Sequence, residues 1–199
     1  MRVVLATRNA GKVREFDDLL GDLAGGVTFV PLDASAPEPD ETGATFLENA
    51  ILKARSAAAA TGLPALADDS GLCVDALGGG PGVRSARYAD GSDETRWQKL
   101  LRELGDLEDG RRTARFVCVL ALVAADGALL ATAEGVCEGR IALAPRGEGG
   151  FGYDPVFEVA DDDAGRTMAE LTTAGKRAVS HRGRAFGGLR ASLGRLSKG

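Results

Sequence analysis

Two adjacent aspartates, Asp68 and Asp69, are the residues of this chain whose type and spacing point most directly to chemistry. They follow the short apolar run 65–67, which we interpret as a strand that ends at the aspartates. Neighbouring side chains in an extended chain point to opposite faces, so the two carboxylates are expected to differ in role. A carboxylate that faces a cleft can hold magnesium or accept a proton from water. An ordinary Asp-Ser-Gly turn is the alternative interpretation.

A second candidate is the loop 7–12, which connects a predicted strand to the N-terminus of a predicted helix. Such a connection favours anions, because unpaired backbone N–H groups and the positive end of the helix dipole point outward there. Lys12 would add a positive charge for phosphate. The loop is not a Walker A sequence, since Ala6 replaces the first glycine and Val13 stands where a serine or threonine would bind magnesium. The alternative is a plain strand-to-helix turn with a solvated lysine.

The glycine-rich segment 147–152 matches the bare glycine pattern of dinucleotide-binding loops, but its context does not. It lies late in the chain, and Tyr153-Asp154-Pro155 follows where a helix should begin. We therefore exclude a dinucleotide site. The loop instead presents Phe151 and Tyr153, and an aromatic ring there can stack on a flat ligand. The alternative is a tight turn whose aromatic side chains close the core.

The single histidine, His181, forms a compact cluster of hydrogen-bond donors with Lys176 and Arg182, just before the last predicted helix. Taken alone, a single histidine is more often a surface or capping residue. The cluster suits carbonyl or phosphate oxygens better than general-base chemistry, because no carboxylate lies nearby in sequence to orient the imidazole. Residues 171–199 as a whole hold seven basic residues and no acidic one. Such a segment is either a solvated helix face or a site for a small polyanion.

The elements that must position these residues alternate between strands and helices. A capping box of Thr45 and Glu48 begins the strongest helix, and the sequence 62–64 ends it. The turn at 126–127 joins the two strands of a hairpin. The predicted strands are 3–6, 27–30, 65–67, 116–124 and 128–136. The first predicted helix begins at about Lys12 and is followed by glycines 25–26, which end that segment. The other predicted helices are 45–60, 93–104 and 184–196. This order predicts a mixed-sheet α/β protein.

Composition excludes several classes of function. The 199 residues are 44% hydrophobic and 27% charged, as in ordinary globular proteins, and the net charge of −5 disfavours nucleic-acid binding. The longest apolar run, 116–125, is far shorter than the roughly 20 residues that span a bilayer, and it places Cys118 in the core. Three scattered cysteines and one histidine indicate neither a disulfide framework nor a zinc cluster. Without an apolar leader, we expect a cytoplasmic protein that binds neither membranes nor nucleic acids.

Several short motifs occur along the chain in a set order, and together they are more specific than any one of them. They are Thr7-x-Asn9-x-x-Lys12, Glu41-Thr42-Gly43, Phe46-x-Glu48-Asn49-Ala50 with Lys53, Asp68-Asp69-Ser70-Gly71, Ser85-Ala86-Arg87-Tyr88, Gly149-Gly150-Phe151-Gly152-Tyr153-Asp154-Pro155, Lys176 and Ser180-His181-Arg182-Gly183. In this order they resemble the inosine triphosphate pyrophosphatase family, the Ham1-like dITP/XTP pyrophosphatases. The similarity extends over residues 2–196.

The resemblance implies an elongated α/β fold with a mixed central β-sheet flanked by helices, and a single domain over residues 1–199 with two lobes around a substrate cleft. It implies hydrolysis of the deaminated purine nucleotides ITP, dITP and XTP to the monophosphate and pyrophosphate. This reaction removes them from the nucleotide pool before they enter DNA or RNA. Mg²⁺ is the implied cofactor, and a homodimer is the implied assembly.

The resemblance also assigns roles to residues. Asp69 would accept the proton and bind magnesium, and Glu41, by itself only a residue of an acidic loop, would help to hold the metal. Lys12 and Lys53 would contact the triphosphate, and Phe151 would stack on the purine. The full set of implied substrate contacts is Thr7, Arg8, Asn9, Ala10, Gly11, Lys12, Lys53, Ser70, Phe151, Gly152, Tyr153, Asp154, Lys176, His181 and Arg182.

Selectivity would come from the edge of the base. Donors among Lys176, His181 and Arg182 would pair with the 6-oxo group of hypoxanthine or xanthine, whereas the 6-amino group of adenine would leave them unpaired. A related pyrophosphatase for modified pyrimidine or methylated nucleotides is one alternative. A non-catalytic nucleotide-binding sensor is another, but a sensor would be expected to lack the metal-binding acids, and Glu41 and Asp69 are both present.

Overall fold

The computed structural model describes residues 1–20, 27–37 and 39–196. The strands are β1 Arg2–Leu5, β2 Thr28–Pro31, β3 Ala65–Val74, β4 Gly80–Pro81, β5 Thr113–Val123, β6 Leu129–Ile141 and β7 Phe157–Val159. The α-helices are α1 Ala10–Leu20, α2 Phe46–Thr61, α3 Asp93–Leu104, α4 Thr173–Val179 and α5 His181–Leu196. None of the helices in these ranges is long and apolar enough to cross a bilayer.

The seven strands form one sheet in the order β2-β1-β3-β5-β6-β7, with β4 paired to β3. Strand β1 is parallel to β2 and to β3, whereas β4 and β7 are antiparallel to β3 and β6. Parallel neighbours need crossover connections, and α1 and α2 provide them between β1, β2 and β3. The sheet is therefore mixed and flanked by helices, which confirms the predicted α/β class.

The chain forms two compact units. The first consists of Met1–Asp69, Cys118–Gly135 and Gly183–Gly199, and the second of Ser70–Val117 and Val136–Arg182. The chain passes from one unit to the other within β3, β5, β6 and α5. The expectation of one domain with a substrate cleft between two lobes stays a prediction.

The core of the first unit is built around β1 and β5. Residues 118–123 of β5 are buried in succession, which is typical of a central strand covered on both faces. Phe16 of α1 and Phe186 of α5 pack edge to face with ring centroids 5.0 Å apart. Cys118 is fully buried in this cluster, and its predicted place in the core is confirmed.

The core of the second unit surrounds Phe116 and Phe157, whose ring centroids are 4.5 Å apart. Leu100 and Leu104 lie one turn apart on α3 and bury one face of that helix in this core. The helix begins at a proper N-cap, because the Ser92 hydroxyl accepts a hydrogen bond from the Thr95 N–H. Helix α3 is thereby fixed at its first turn and along its buried face.

A buried arginine joins three segments of the second unit. Arg112 is 1% exposed, and its guanidinium donates to the carbonyl oxygens of Ile141 at 2.9 Å, Gly105 at 3.2 Å and Ala142 at 3.2 Å. These carbonyl groups belong to the end of β6 and to the turn after α3. A planar group with donors on several edges can satisfy such diverging carbonyls where a lysine could not.

Most of the predicted elements are confirmed. Helix α3 has the predicted bounds, and α2 begins after Thr45 with both hydrogen bonds of the capping box in place. Gly62 ends α2 in the left-handed conformation that glycine adopts at little cost. The strands β5 and β6 are neighbours in the sheet and are joined by the predicted turn.

Several predicted boundaries are wrong, and one helix was not predicted. Strand β5 begins at Thr113 rather than at 116, and β6 ends at Ile141 rather than at 136. Strand β3 does not end before the aspartates but continues to Val74, so the Asp-Ser-Gly turn does not exist. Helix α5 begins at His181 rather than at 184, and the short helix α4 carries Lys176. In β3, sheet pairing and burial outweigh the local turn preference of Asp, Ser and Gly. The prediction that glycines 25–26 close the first helical segment lies outside the described residues.

We expect Arg112→Met to lower the free energy of unfolding by about 3 kcal/mol, because it leaves buried carbonyl oxygens without a donor. The matched control is Arg111→Met, which removes the same charge from the neighbouring exposed position and should cost less than about 0.5 kcal/mol. Urea denaturation of the two variants measures the difference. Equal losses of stability would contradict this role for Arg112.

Candidate active site

The loop between β1 and α1 is held by Asn9. The Asn9 Oδ1 accepts hydrogen bonds from the Gly11 N–H at 2.9 Å and the Lys12 N–H at 3.1 Å, and so caps α1. The Thr7 hydroxyl oxygen accepts from the Asn9 N–H at 3.3 Å. The expectation that these backbone N–H groups stay unpaired is therefore wrong for Gly11 and Lys12. Binding of an anion at this loop must depend on side chains and on the helix dipole.

Lys12 is paired rather than solvated. Its ammonium lies 2.7 Å from the Asp68 Oδ2, and the carboxylate side chain is 1% exposed. A buried carboxylate is stable only when a cation or several donors compensate its lost hydration. The alternative of a plain turn with a solvated lysine is therefore wrong.

Asp69 contacts a different helix. The Lys53 ammonium on α2 lies 2.7 Å from the Asp69 Oδ1 and 3.1 Å from the Glu41 Oε1. Asn49, one turn earlier on the same face of α2, donates to the Asp69 Oδ2 at 3.3 Å. Adjacent residues of β3 thus point to opposite faces as predicted, with Asp68 paired to α1 and Asp69 to α2.

The charges in this cluster influence one another strongly. Burial raises the pKa of the Asp69 carboxyl above its ordinary value, although Lys53 and Lys12 act in the opposite direction. Burial acts to lower the pKa of Lys53, but the carboxylates of Asp68, Asp69 and Glu41 outweigh it and raise the pKa overall. Lys53 therefore remains charged at neutral pH, and Asp69 has an increased affinity for a proton, as a general base requires.

The donor set suits a hard divalent cation that is shared with a ligand. Glu41 and Asp69 converge on one cationic atom, the Lys53 Nζ. Mg²⁺ is commonly bound by one or two carboxylates together with substrate phosphates. No group of three or more His, Cys, Asp or Glu residues that could hold a metal occurs in the described part of the chain. The residues therefore fit a magnesium ion completed by phosphate oxygens, not a metal enclosed by protein alone.

A second cluster lies in the second unit, around Phe151. The Asp154 Oδ2 accepts from the Phe151 N–H at 2.8 Å and from the Lys176 ammonium at 2.6 Å. The Lys176 Nζ is 4.9 Å and the Arg182 Cζ is 5.6 Å from the centroid of the Phe151 ring. A half-buried aromatic ring with two cations beside it is a polarised platform for a flat, electron-rich ligand.

The first turn of α5 supplies the remaining donors of this cluster. His181 stacks on Phe116 with ring centroids 4.8 Å apart and an interplanar angle of 14°. Arg182 is buried, and its guanidinium donates to the Ser70 hydroxyl oxygen at 3.0 Å. Ser70 directly follows Asp69 in the chain. Both α5 residues are thus held in the protein interior instead of in a surface cap.

Two predicted contact residues are placed differently from the rest. Tyr153 is buried in the second core, where its hydroxyl donates to the Ser85 carbonyl oxygen at 2.9 Å, as the alternative for this loop predicted. Arg8 is exposed and donates to the Ala36 carbonyl oxygen.

The predicted residues fall into two groups, one in each unit. Those in the first unit are Thr7, Arg8, Asn9, Ala10, Gly11, Lys12, Glu41, Lys53 and Asp69. Those in the second unit are Ser70, Phe151, Gly152, Tyr153, Asp154, Lys176, His181 and Arg182. The side chain of Ala10 is outside the described residues.

Asn49 is a site residue whose role sequence reasoning missed. It is fully buried, and its Oδ1 accepts from the Gly43 N–H at 2.8 Å while its amide group donates to Asp69. The spacing of four residues between Asn49 and Lys53 on a predicted helix was the available signal, since it places both on one face.

The fold and the two clusters define an α/β protein with two kinds of site. In one, lysines neutralise buried carboxylates; in the other, cations lie close to an aromatic ring. Comparison with known proteins then shows that this chain belongs to the Ham1 family, whose model matches residues 3–192.

Relatives and solved structures are similar over nearly the whole chain. The chain is 56% identical to a dITP/XTP pyrophosphatase of Symbiobacterium thermophilum, with 93% of this chain and 91% of the relative covered. It is 52% identical to a dITP/XTP pyrophosphatase of Shigella flexneri, with 93% and 94% covered. A HAM1 protein from Coxiella burnetii superimposes with a TM-score of 0.87 at 48% identity, over 98% of this chain and 99% of that one.

We expect Lys53 and Asp69 to be energetically coupled. Lys53→Met should lower the free energy of unfolding by about 3 kcal/mol at pH 7, because it leaves a buried carboxylate without its cation. Adding Asp69→Asn should restore at least half of that loss, since the charge is removed as well. Urea denaturation of the two single variants and the double variant gives the coupling energy.

The control is the exposed ion pair of Arg115 and Asp75, in which the Arg115 Nη1 lies 3.0 Å from the Asp75 Oδ1. The same cycle with Arg115→Met and Asp75→Asn should give a coupling energy below about 1 kcal/mol. A Lys53–Asp69 coupling no larger than this would show that the buried pair is not what stabilises the cluster.

Proposed function

We propose that this chain is a nucleoside-triphosphate pyrophosphatase that hydrolyses the deaminated purine nucleotides ITP, dITP and XTP to the monophosphate and pyrophosphate. The observation that carries the proposal is the Lys53 ammonium bound between the carboxylates of Glu41 and Asp69. This cluster has the groups that bind phosphate, hold a divalent cation and accept a proton. The names of relatives that are more than 50% identical support the same substrates.

At the phosphate end, Lys12 and Lys53 bind triphosphate oxygens and turn from Asp68 and Asp69 towards them. Asp69 accepts a proton from water as the water oxygen bonds to phosphorus. The water oxygen attacks the α phosphorus, the phosphoanhydride bond to the β phosphate breaks, and its electron pair leaves with pyrophosphate. Mg²⁺, when bound by Glu41 and Asp69, would neutralise phosphate charge and lower the pKa of a water molecule bound to it. No covalent nucleophile is needed.

At the base end, Phe151 stacks on the purine ring, and the cations beside it favour an electron-rich base. Lys176 and Arg182 donate to the 6-oxo group, and His181 adds a further donor. With adenine these donors would meet the 6-amino group and stay unpaired. Sites built on such hydrogen bonds discriminate by roughly 10⁴–10⁵.

We also propose Mg²⁺ as the cofactor, a homodimer as the assembly and the cytoplasm as the location. The carboxylate pair of Glu41 and Asp69 supports magnesium. The dimer is what the family resemblance implies, and a substrate drawn from the nucleotide pool supports the location. The net charge of −5 supports a small-molecule partner rather than a nucleic acid.

The first experiment measures pyrophosphate release with Mg²⁺, comparing ITP, XTP and dITP with ATP and GTP. We expect rapid release from the first three and none after chelation of the metal with EDTA. We expect little from ATP, which lacks the 6-oxo group, and little from GTP, which has that group but must be rejected at its 2-amino group. Equal, slow release from all five would indicate a nonspecific phosphatase. Binding without release would indicate a nucleotide sensor and would overturn the proposal.

The assignment of Asp69 is tested by Asp69→Asn, which keeps the shape and removes the proton acceptor. We expect turnover of ITP to fall about a thousandfold, within the usual contribution of a general base, while ITP binding by calorimetry changes little. The control is Asp126→Asn in the exposed turn between β5 and β6, which should leave turnover unchanged. Near-normal turnover of Asp69→Asn would contradict the mechanism.

A further inference from the structure

The orientation of Phe151 is held by two carboxylates from different parts of the chain. The Phe151 N–H donates to the Asp154 Oδ2 at 2.8 Å, and the next backbone N–H, that of Gly152, donates to the Asp93 Oδ2 at 2.7 Å. These two N–H groups belong to the peptide units on either side of the Phe151 Cα. Because these two peptide units set the φ and ψ angles of Phe151, the two hydrogen bonds together fix the direction of its Cα–Cβ bond, from which the ring extends.

The two carboxylates differ in what holds them. Asp154 is only three residues from Phe151, and it is also bound by Lys176. Asp93 is separated from Gly152 by 59 residues and is the first residue of α3. A carboxylate in the first turn of a helix is stabilised by the helix dipole, and Arg96 also contacts Asp93. Asp93 therefore ties the loop to a helix that is buried in the second core.

The backbone of this loop needs such an anchor. Gly150 and Gly152 have φ angles of +75° and +63°, a region that glycine enters without strain. At Gly152 no atom lies within 4 Å of an added Cβ. The hydrogen bond to Asp93 holds the Gly152 N–H in one direction and so favours one of the conformations open to glycine.

We infer that Asp93 is a positioning residue for base recognition, which acts by fixing the orientation of Phe151. The inference rests on the proposed function, in which Phe151 stacks on the purine. Without the Asp93 anchor, only a fraction of molecules would present the ring correctly. The apparent affinity for substrate then falls by that fraction, whereas turnover at saturation, which depends on Asp69, does not.

The kinetic test compares Asp93→Ala with Glu94→Ala. Glu94 lies in the same first turn of α3, carries the same charge and accepts a hydrogen bond from Gln98 on its own helix. We expect Asp93→Ala to raise the KM for ITP about tenfold, as loss of one hydrogen bond to a charged group implies, with kcat within twofold of the wild type. Glu94→Ala should change neither. Asp93→Asn should keep the KM close to that of the wild type, because the amide oxygen can still accept the hydrogen bond from the Gly152 N–H.

A second variant separates the anchor from helix stability. Ser92→Ala removes the N-cap of α3 and leaves the Asp93–Gly152 hydrogen bond untouched. It should lower the melting temperature and leave KM unchanged. If Ser92→Ala raised KM as much as Asp93→Ala, or if Asp93→Ala left KM unchanged, the inference would be overturned.

Hydrogen exchange reports on the anchor without any turnover. We expect the Gly152 amide hydrogen to exchange about tenfold faster in Asp93→Ala than in the wild type, and at the wild-type rate in Glu94→Ala. Unchanged exchange in Asp93→Ala would overturn the anchor itself. Failure of the wild type to release pyrophosphate from ITP would instead overturn the proposed function, and the exchange measurement would remain valid.

Discussion

A carboxylate that leaves water loses a large hydration energy, and β3 takes two adjacent carboxylates into the protein interior. Each is met by a lysine from a different helix, Lys12 for Asp68 and Lys53 for Asp69. This requirement adds to apolar packing in placing α1 and α2 against the sheet. The cap formed by Asn9 and the capping box of α2 set where these helices start, and so where their lysines reach the strand.

The second unit uses carboxylates for a different purpose. In the loop around Phe151 they compensate for the freedom of a glycine-rich backbone, because they bind N–H groups of the loop directly. Arg112 acts in the opposite sense, because its guanidinium donates hydrogen bonds to backbone carbonyl oxygens. In both cases a charged side chain replaces the regular hydrogen bonds that a strand or helix would provide. Side chains thereby hold irregular segments in both places.

Local patterns in the sequence were sufficient to predict α2, α3 and the core position of Cys118, because caps, turns and apolar runs depend on residues that are close in sequence. They failed for β3, since the run from Asp68 to Gly71 has the composition of a turn and is extended only through its partners in the sheet. The family motifs indicated which residues do chemistry. They included Asn49 without indicating its role, and they did not include Asp93; both roles depend on contacts with residues 20 and 59 positions away.

The alternation of partners along β3 limits how this protein can vary. In the parallel pairing of β1 with β3, Val4 lies beside Ala65 and Leu5 beside Leu66, and the aspartates follow two and three residues after Leu66. An insertion or deletion of one residue between 65 and 69 would turn every following side chain to the opposite face. The apolar side chains would lose their core, and both lysines would face the wrong positions. Insertions and deletions are therefore better tolerated in connections such as 31–37, whose residues are exposed or half-buried and where the placement of a buried charge does not depend on the length of the segment.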